Sequence, residues 1–209
     1  MSLKLAVLVS GRGSNLLAIL EAIARGELSA SVEVVISNVA GAPALEIARR
    51  FRVPGVVVES QGLTRQAHEE RLRESLAGYQ IDLLVLAGYM RVLTPGFLKS
   101  FQDPAGYYRV INIHPSLLPA FPGTHAYEDA FAYGVRVSGI TVHLVDDQVD
   151  HGPILAQEPF PRLEADTLED FKARGLAVEH ALFPAVLQRI AREGIKIIDR
   201  GAKEQVART

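Results

Sequence analysis

Short runs of consecutive apolar residues alternate along this chain with longer stretches in which apolar residues recur every three or four positions. Leu3–Val9, Val32–Ile36, Gly55–Val58, Ile81–Ala87 and Arg109–Ile113 belong to the first kind and predict strands. Ser14–Arg25 belongs to the second: Leu16, Leu17, Leu20 and Ile23 share one stripe, and Gly26 stands just past its end. Ala42–Phe51 and Thr64–Ala77 predict two further helices, the former stopping before Pro54 because the residue ahead of a proline is driven out of the helical region. Pro95–Phe101 predicts a short helix with proline in its first turn, where the absent N–H is not missed. This alternation implies a mostly parallel sheet covered by helices on both faces.

After the fifth strand the pattern changes. Thr124–Tyr133 predicts a helix ending at Gly134, and Val137–Val145 and Ile154–Phe160 predict two longer strands joined by a loop alone, hence antiparallel. Thr167–Arg192 predicts a long helix, with Asp166 and Glu169 spaced as a capping box and Pro184 expected to bend or break it. Ile195–Ile198 predicts a last strand, and the polar tail beyond Arg200 predicts fraying. The fold class is therefore α/β, a doubly wound, mostly parallel sheet with an antiparallel C-terminal part. No repeat, linker or low-complexity segment divides it, so the chain reads as a single domain over 1–209, with halves of about 1–108 and 109–200.

Composition narrows the function classes. A chain of 209 residues buries roughly 70% of its unfolded surface and needs no covalent staple. It has no cysteine, which excludes disulfides, thiolate metal sites and a cysteine nucleophile and fits a cytoplasmic location. A net charge of −2 with both signs scattered lacks the basic footprint of a nucleic-acid binder. No apolar run approaches the ~18 residues of a membrane helix, and Leu3–Ser10 is too short for a secretory signal.

Three stretches carry candidate chemistry. Gly11-Arg12-Gly13-Ser14-Asn15 joins the first strand to the first helix. It reads either as a tight turn with Ser14 as N-cap or as a phosphate cradle at a positive helix end. It is not a dinucleotide fingerprint, since Leu16 replaces the third glycine and Ser37-Asn38 the acid after the second strand. Asn112-Ile113-His114-Pro115-Ser116-Leu117-Leu118-Pro119 closes the fifth strand. Residues two apart share a strand face, so Asn112 and His114 project together from the carboxyl edge, where ligands bind in this architecture. An amide donor beside a proton carrier suits acyl transfer, although a lone Asn-x-His is more often a turn residue and a core histidine. Asp146-Asp147-Gln148-Val149-Asp150-His151-Gly152-Pro153 is either a plain hairpin loop or a loop that carries Asp150 to His114. Its spacing matches no EF-hand, and metal binding is not expected.

Other positions weigh less. His68 lies in a charged helix and reads as solvated, His143 alternates within a strand and reads as structural, His125 opens a helix near the site, and His151 reads as exposed. Glu179 sits beside apolar positions in the long helix and so needs a partner or a ligand. Ala87-Gly88-Tyr89-Met90-Arg91-Val92-Leu93 reads either as core or as the wall of a pocket for a flat aromatic ligand.

In this order and spacing, from about Leu3 to Ile198, these motifs resemble the glycinamide ribonucleotide formyltransferase family. The most specific stretch is Val110 to Gly123, followed by Gly139-Ile-Thr-Val-His-Leu-Val and by Asp150-x-Gly-Pro-Ile. The resemblance implies a Rossmann-like formyltransferase fold, 10-formyltetrahydrofolate as co-substrate, no metal, and glycinamide ribonucleotide as acceptor in purine synthesis. It implies a catalytic group of Asn112, His114 and Asp150, phosphate binding by Gly13, Ser14 and Asn15, and a ribose contact from Glu179. It also implies a pterin pocket lined by Met90, Arg91, Val92, Leu93, Val145 and Asp146, with Arg65 toward the folate glutamate tail. The expected partners are small molecules, with no nucleic acid or membrane, and a homodimer is left open.

Rival readings remain. A formyltetrahydrofolate hydrolase resembles this core but usually carries an N-terminal regulatory domain, for which a first strand at Leu3 leaves no room. Methionyl-tRNA formyltransferase adds a basic C-terminal domain that is not expected here, and the net charge of −2 argues against tRNA. A non-catalytic folate- or nucleotide-binding module would not need Asn112, His114 and Asp150 together.

Overall fold

The computed structural model describes residues 2–198. Its strands are β1 (Leu3–Val9), β2 (Ala30–Ser37), β3 (Gly55–Val57), β4 (Leu83–Leu86), β5 (Val110–His114), β6 (Val137–Leu144) and β7 (Ile154–Pro161). They form one sheet in the order β3-β2-β1-β4-β5-β6-β7. The first five run parallel, and β6 and β7 are antiparallel to their neighbours. The helices are α1 (Ser14–Ala24), α2 (Pro43–Arg50), α3 (Arg65–Leu76), α4 (Pro95–Leu98) with a 3-10 turn at Lys99–Phe101, α5 (Ala126–Tyr133) and α6 (Leu168–Glu193).

Alternation along each strand divides the core in two. Leu5, Val7 and Val9 of β1 face one way with Val85 and Ile111, and meet Leu16 and Ile19 of α1 and Phe171, Phe183 and Leu187 of α6. Ala6 and Leu8 face the other way with Ile36, Leu84 and Val110, and meet Leu72 and Leu76 of α3 and Phe97 and Leu98 of α4. Each fully buried Leu or Phe contributes roughly 1.5–3 kcal/mol, so both layers hold the sheet. The strand order turns back at β1: the chain moves outward to β3, then returns to β4 on β1's other side. The connections leaving β1 and β4 therefore diverge, and a crevice opens at their carboxyl ends.

The C-terminal region corrects three expectations. The capping box of α6 is Thr167 with Asp170: the Thr167 side chain accepts from the Asp170 N–H, and the Asp170 carboxylate accepts from the Thr167 N–H. Asp166 is unavailable because its two oxygens hold the Arg174 guanidinium. Pro184 neither breaks nor ends α6, which runs on to Glu193. Its cost of ~3 kcal/mol is outweighed by burial of Phe183, Val186, Leu187 and Ile190 along the same helix. Ile195–Ile198 forms no strand, because Gly194 at φ 75° turns the chain and Ile197 and Ile198 stay exposed. The polar tail beyond Arg200 lies outside the described residues. Among the described residues no helix is long and apolar enough to cross a membrane.

Candidate active site

β5 carries Asn112 and His114 to the carboxyl edge on one face. The antiparallel register sets Asn112 directly opposite His143 of β6, so their side chains meet with Asn112 Nδ2 3.2 Å from His143 Nε2. The His143 Nδ1–H donates to the Leu144 carbonyl at 2.9 Å, which leaves Nε2 as the acceptor for the Asn112 amide. Burial, the largest influence, holds this imidazole below its ordinary pKa and keeps it neutral. His143 is therefore a member of the site rather than the merely structural residue expected from its place in a strand.

The β6–β7 loop delivers Asp150. Its Oδ2 lies 3.4 Å from His114 Nδ1, and its Oδ1 lies 3.8 Å from His143 Nε2. Oδ2 also accepts the Gly123 N–H at 2.8 Å. On its other side, His114 Nε2 is 2.8 Å from the Phe121 carbonyl. A doubly protonated His114 thus finds an acceptor for each N–H. Asp150 adopts φ 51°, a left-handed conformation that Asp tolerates better than most residues. Gly152 lets the loop close onto β6, since a Cβ there would collide with the Leu144 carbonyl.

The Pro115–Pro119 turn is built to hold β5's end in place. The Thr141 hydroxyl donates to the Ser116 carbonyl and accepts the Leu118 N–H and the Gln157 amide. The Ser116 hydroxyl in turn donates to the Ala120 carbonyl. Backbone that would otherwise be orphaned is satisfied from β6 and β7.

A cavity of about 220 Å³ opens beside this cluster. Asn112, His114, His143 and Asp150 form its polar end. Met90, Arg91, Val92 and Leu93 from the loop after β4, with Val145, Asp146 and Val149, form its other walls. The predicted pocket residues and the predicted catalytic residues therefore share one space. Arg65 stands apart: it is exposed at the start of α3 and does not line the cavity. Asp146 Oδ2 and His151 Nδ1 pair at 2.8 Å across the base of the loop. His125 is exposed at the N-terminus of α5.

The glycine-rich loop ends at the start of α1. Gly13, not Ser14, occupies the N-cap position, at φ 77°, and no side chain caps the helix. A Cβ on Gly13 would lie 2.6 Å from that of Ala44, so the close approach of α2 also demands glycine. Ser14 is the first helical residue, and the uncapped first turn leaves backbone N–H groups for an anion. The Asn15 amide donates to Glu179 Oε2 at 2.6 Å, and the Tyr127 hydroxyl donates to Glu179 Oε1 at 2.7 Å. Glu179 thus has the partners its burial requires, and it sits beside the glycine-rich loop. Ser10 bridges the crevice, its hydroxyl donating to Asn38 Oδ1 and accepting the Met90 N–H.

The sequence profile of the formyl transferase family matches residues 3–187. The chain belongs to that family, among the phosphoribosylglycinamide formyltransferases. It is 42% identical over 200 residues to the phosphoribosylglycinamide formyltransferase of Mycobacterium tuberculosis strain H37Rv, covering 95% of this chain and 90% of that one. It is 37% identical over 201 residues to the Escherichia coli K12 enzyme of the same name, covering 96% and 92%. Its fold is similar to glycinamide ribonucleotide transformylase 1 from Symbiobacterium toebii, with a TM-score of 0.88 and 42% identity over 95% of this chain and 92% of that one. The mostly parallel, doubly wound sheet with antiparallel final strands is the fold these relatives share.

Three residues escaped the reading of the sequence. Tyr127 completes the bonding of Glu179, and nothing in its local pattern foretells that. His143 needed the β5–β6 register. His68 is fully buried, not solvated, with Nε2 2.7 Å from the Tyr89 hydroxyl. A usable signal existed for His68: it stands four residues before Leu72 and eight before Leu76, both buried on the same stripe of α3. Among the described residues no group of three or more His, Cys, Asp or Glu is arranged to hold a metal ion.

Proposed function

We propose that this chain transfers the formyl group of 10-formyltetrahydrofolate to the amine of glycinamide ribonucleotide, a step of purine biosynthesis. The observation that carries the reading is the meeting of Asn112, His114, His143 and Asp150 at the end of a largely apolar cavity, two strands across the sheet from the phosphate-type loop after β1. The donor's flat pterin enters between the loop after β4 and the Val145–Val149 loop, and the acceptor's phosphate meets the N–H groups of Gly13, Ser14 and Asn15. Glu179, braced by Asn15 and Tyr127, faces the ribose.

The acceptor amine attacks the formyl carbon, and the carbonyl oxygen becomes an oxyanion. The Asn112 amide donates to that oxygen, and one such donor is worth roughly 3–4 kcal/mol. His114, oriented by Asp150 and by the Phe121 carbonyl, adds positive charge and moves a proton. The bond from the formyl carbon to N10 of the folate then breaks. The proton lost by the amine ends on N10, directly or through a water, and no covalent enzyme intermediate forms. The test is formyl-donor turnover with glycinamide ribonucleotide present and absent. Turnover that requires the acceptor and yields formylated product supports the transferase; equal turnover without it identifies a hydrolase.

A further inference from the structure

The loop from Gly88 to Leu93 forms one wall of the cavity, yet among the described residues no backbone hydrogen bond joins two of its own members. Two bonds tie its start to the loop after β1: the Ser10 N–H donates to the Gly88 carbonyl at 3.2 Å, and the Met90 N–H donates to the Ser10 hydroxyl at 2.8 Å. Leu93 is buried in the core layer beneath the sheet, and Tyr89 packs against that layer. Further hydrogen bonds to the loop and its end come from α3 and the segment ahead of α3. His68 Nε2 lies 2.7 Å from the Tyr89 hydroxyl. The Arg91 guanidinium donates to the carbonyls of Ser60 and Leu63 at 3.1 and 2.9 Å. Glu69, almost fully buried, takes the Thr94 N–H on Oε1 at 2.6 Å and the Thr94 hydroxyl on Oε2. Meanwhile Met90 and Val92 leave 65% and 46% of their surface exposed. The loop presents apolar side chains to the cavity mouth and keeps its polar anchors behind.

We propose that His68 and Glu69 are positioning residues for the formyl donor, which fix the cavity wall 88–94 through Tyr89 and Thr94. The proposal rests on the reading of this cavity as the donor site. Neither residue lines the cavity. A buried carboxylate and a buried imidazole in one turn of a helix are costly unless hydrogen-bonded. Here His68 meets Tyr89 of the loop through Nε2, and Glu69 holds Thr94, where the loop passes into α4. Burial first, and then the neighbouring Arg91, hold the His68 imidazole below its usual pKa and therefore neutral; Glu69 and Arg71 are the other charged side chains acting on it. Burial likewise keeps the Tyr89 hydroxyl protonated. The pair is thus a neutral hydrogen bond with no net charge to draw the loop elsewhere. A wall fixed in advance spares the ligand the ordering of that wall on binding. Loosening it therefore weakens the donor and leaves the acceptor, held at the loop after β1, largely as it was.

The experiment compares His68→Phe, Glu69→Gln and the double variant His68→Phe/Tyr89→Phe with the unaltered chain, varying each substrate in turn. His68→Phe strands the buried Tyr89 hydroxyl, and Glu69→Gln leaves one acceptor oxygen for the two Thr94 donors, so each raises the donor KM about tenfold. The acceptor KM stays within about twofold. The double variant, which removes both polar groups of the pair, recovers most of the donor affinity. Calorimetric titration with a non-reacting tetrahydrofolate analogue reads the same order without turnover. An unchanged donor KM in His68→Phe, or equal rises for both substrates, overturns the proposal. If Glu69→Gln does not fold, the His68→Phe and double-variant pair decides the matter alone. An unaltered chain that turns over no formyl donor and does not bind the analogue defeats the donor-site reading itself, which is a separate result.

Discussion

Replacing Asp150 by Asn removes one charge from the site and little else. The amide oxygen can keep the Gly123 N–H, now 2.8 Å from the carboxylate, so the loop retains its anchor. What is lost is the attraction between the carboxylate and a protonated His114, whose Nδ1 is 3.4 Å away. Coulomb's law at an effective dielectric of 20 puts the gross attraction at about 5 kcal/mol. Desolvation of the carboxylate offsets part of it, which leaves roughly 3–4 kcal/mol expressed when positive charge on His114 matters most, in the transition state. That corresponds to a fall of about 10²–10³ in kcat. The assay is steady-state formyl transfer with both substrates saturating, alongside thermal unfolding to show that the variant is folded. A folded Asp150→Asn variant with kcat within threefold of the original would refute the assignment of Asp150 to the chemistry. A loss that appears only in KM would refute the charge argument.

Three further outcomes follow from other parts of the structure. Asn112→Ala lowers kcat by about 10²–10³ with both KM values nearly unchanged, as expected for an oxyanion donor and checked by the same assay. Ser14→Asp raises the acceptor KM and leaves the donor KM alone, because a carboxylate at the start of α1 opposes a phosphate there; equal effects on both substrates count against a dedicated phosphate site. The Arg174 side-chain hydrogen bonds hold the Asp166 carboxyl down at about 2. A carboxyl lowered on folding stabilises above its unfolded pKa of about 3.9 and loses that stabilisation as pH falls through the folded value. Asp166→Asn is therefore less stable than the original at pH 6, and the difference shrinks between about pH 4 and pH 2; a difference that is flat across that window contradicts the pairing.

Much of this architecture can be read from periodicity. β1 and β4 are apolar on both faces because helices cover both, and such runs are conspicuous in any sequence. Asn112 and His114 could be placed on one face of β5 from their spacing alone. The register of β6 against β5 could not, because antiparallel pairing depends on contacts far apart in the chain, so His143 looked structural until it was set opposite Asn112. α3 misleads for another reason. Its residues Arg65 to Leu76 are so charged that the buried stripe of His68, Leu72 and Leu76 is obscured, and Glu69 is buried beside it only because Thr94 meets it. The capping box of α6 slipped by one residue because Asp166 had a stronger partner in Arg174 eight positions on, which local spacing does not reveal.

The most direct test of the whole account is a crystal structure of the chain with glycinamide ribonucleotide and a non-reacting analogue of 10-formyltetrahydrofolate. The account predicts the pterin between residues 90–93 and 145–149, the analogue's carbonyl oxygen about 2.7–3.1 Å from the Asn112 amide, and the acceptor phosphate on the N–H groups of Ser14 and Asn15. An analogue bound elsewhere, or an acceptor amine held far from that carbonyl with its phosphate away from α1, would contradict it.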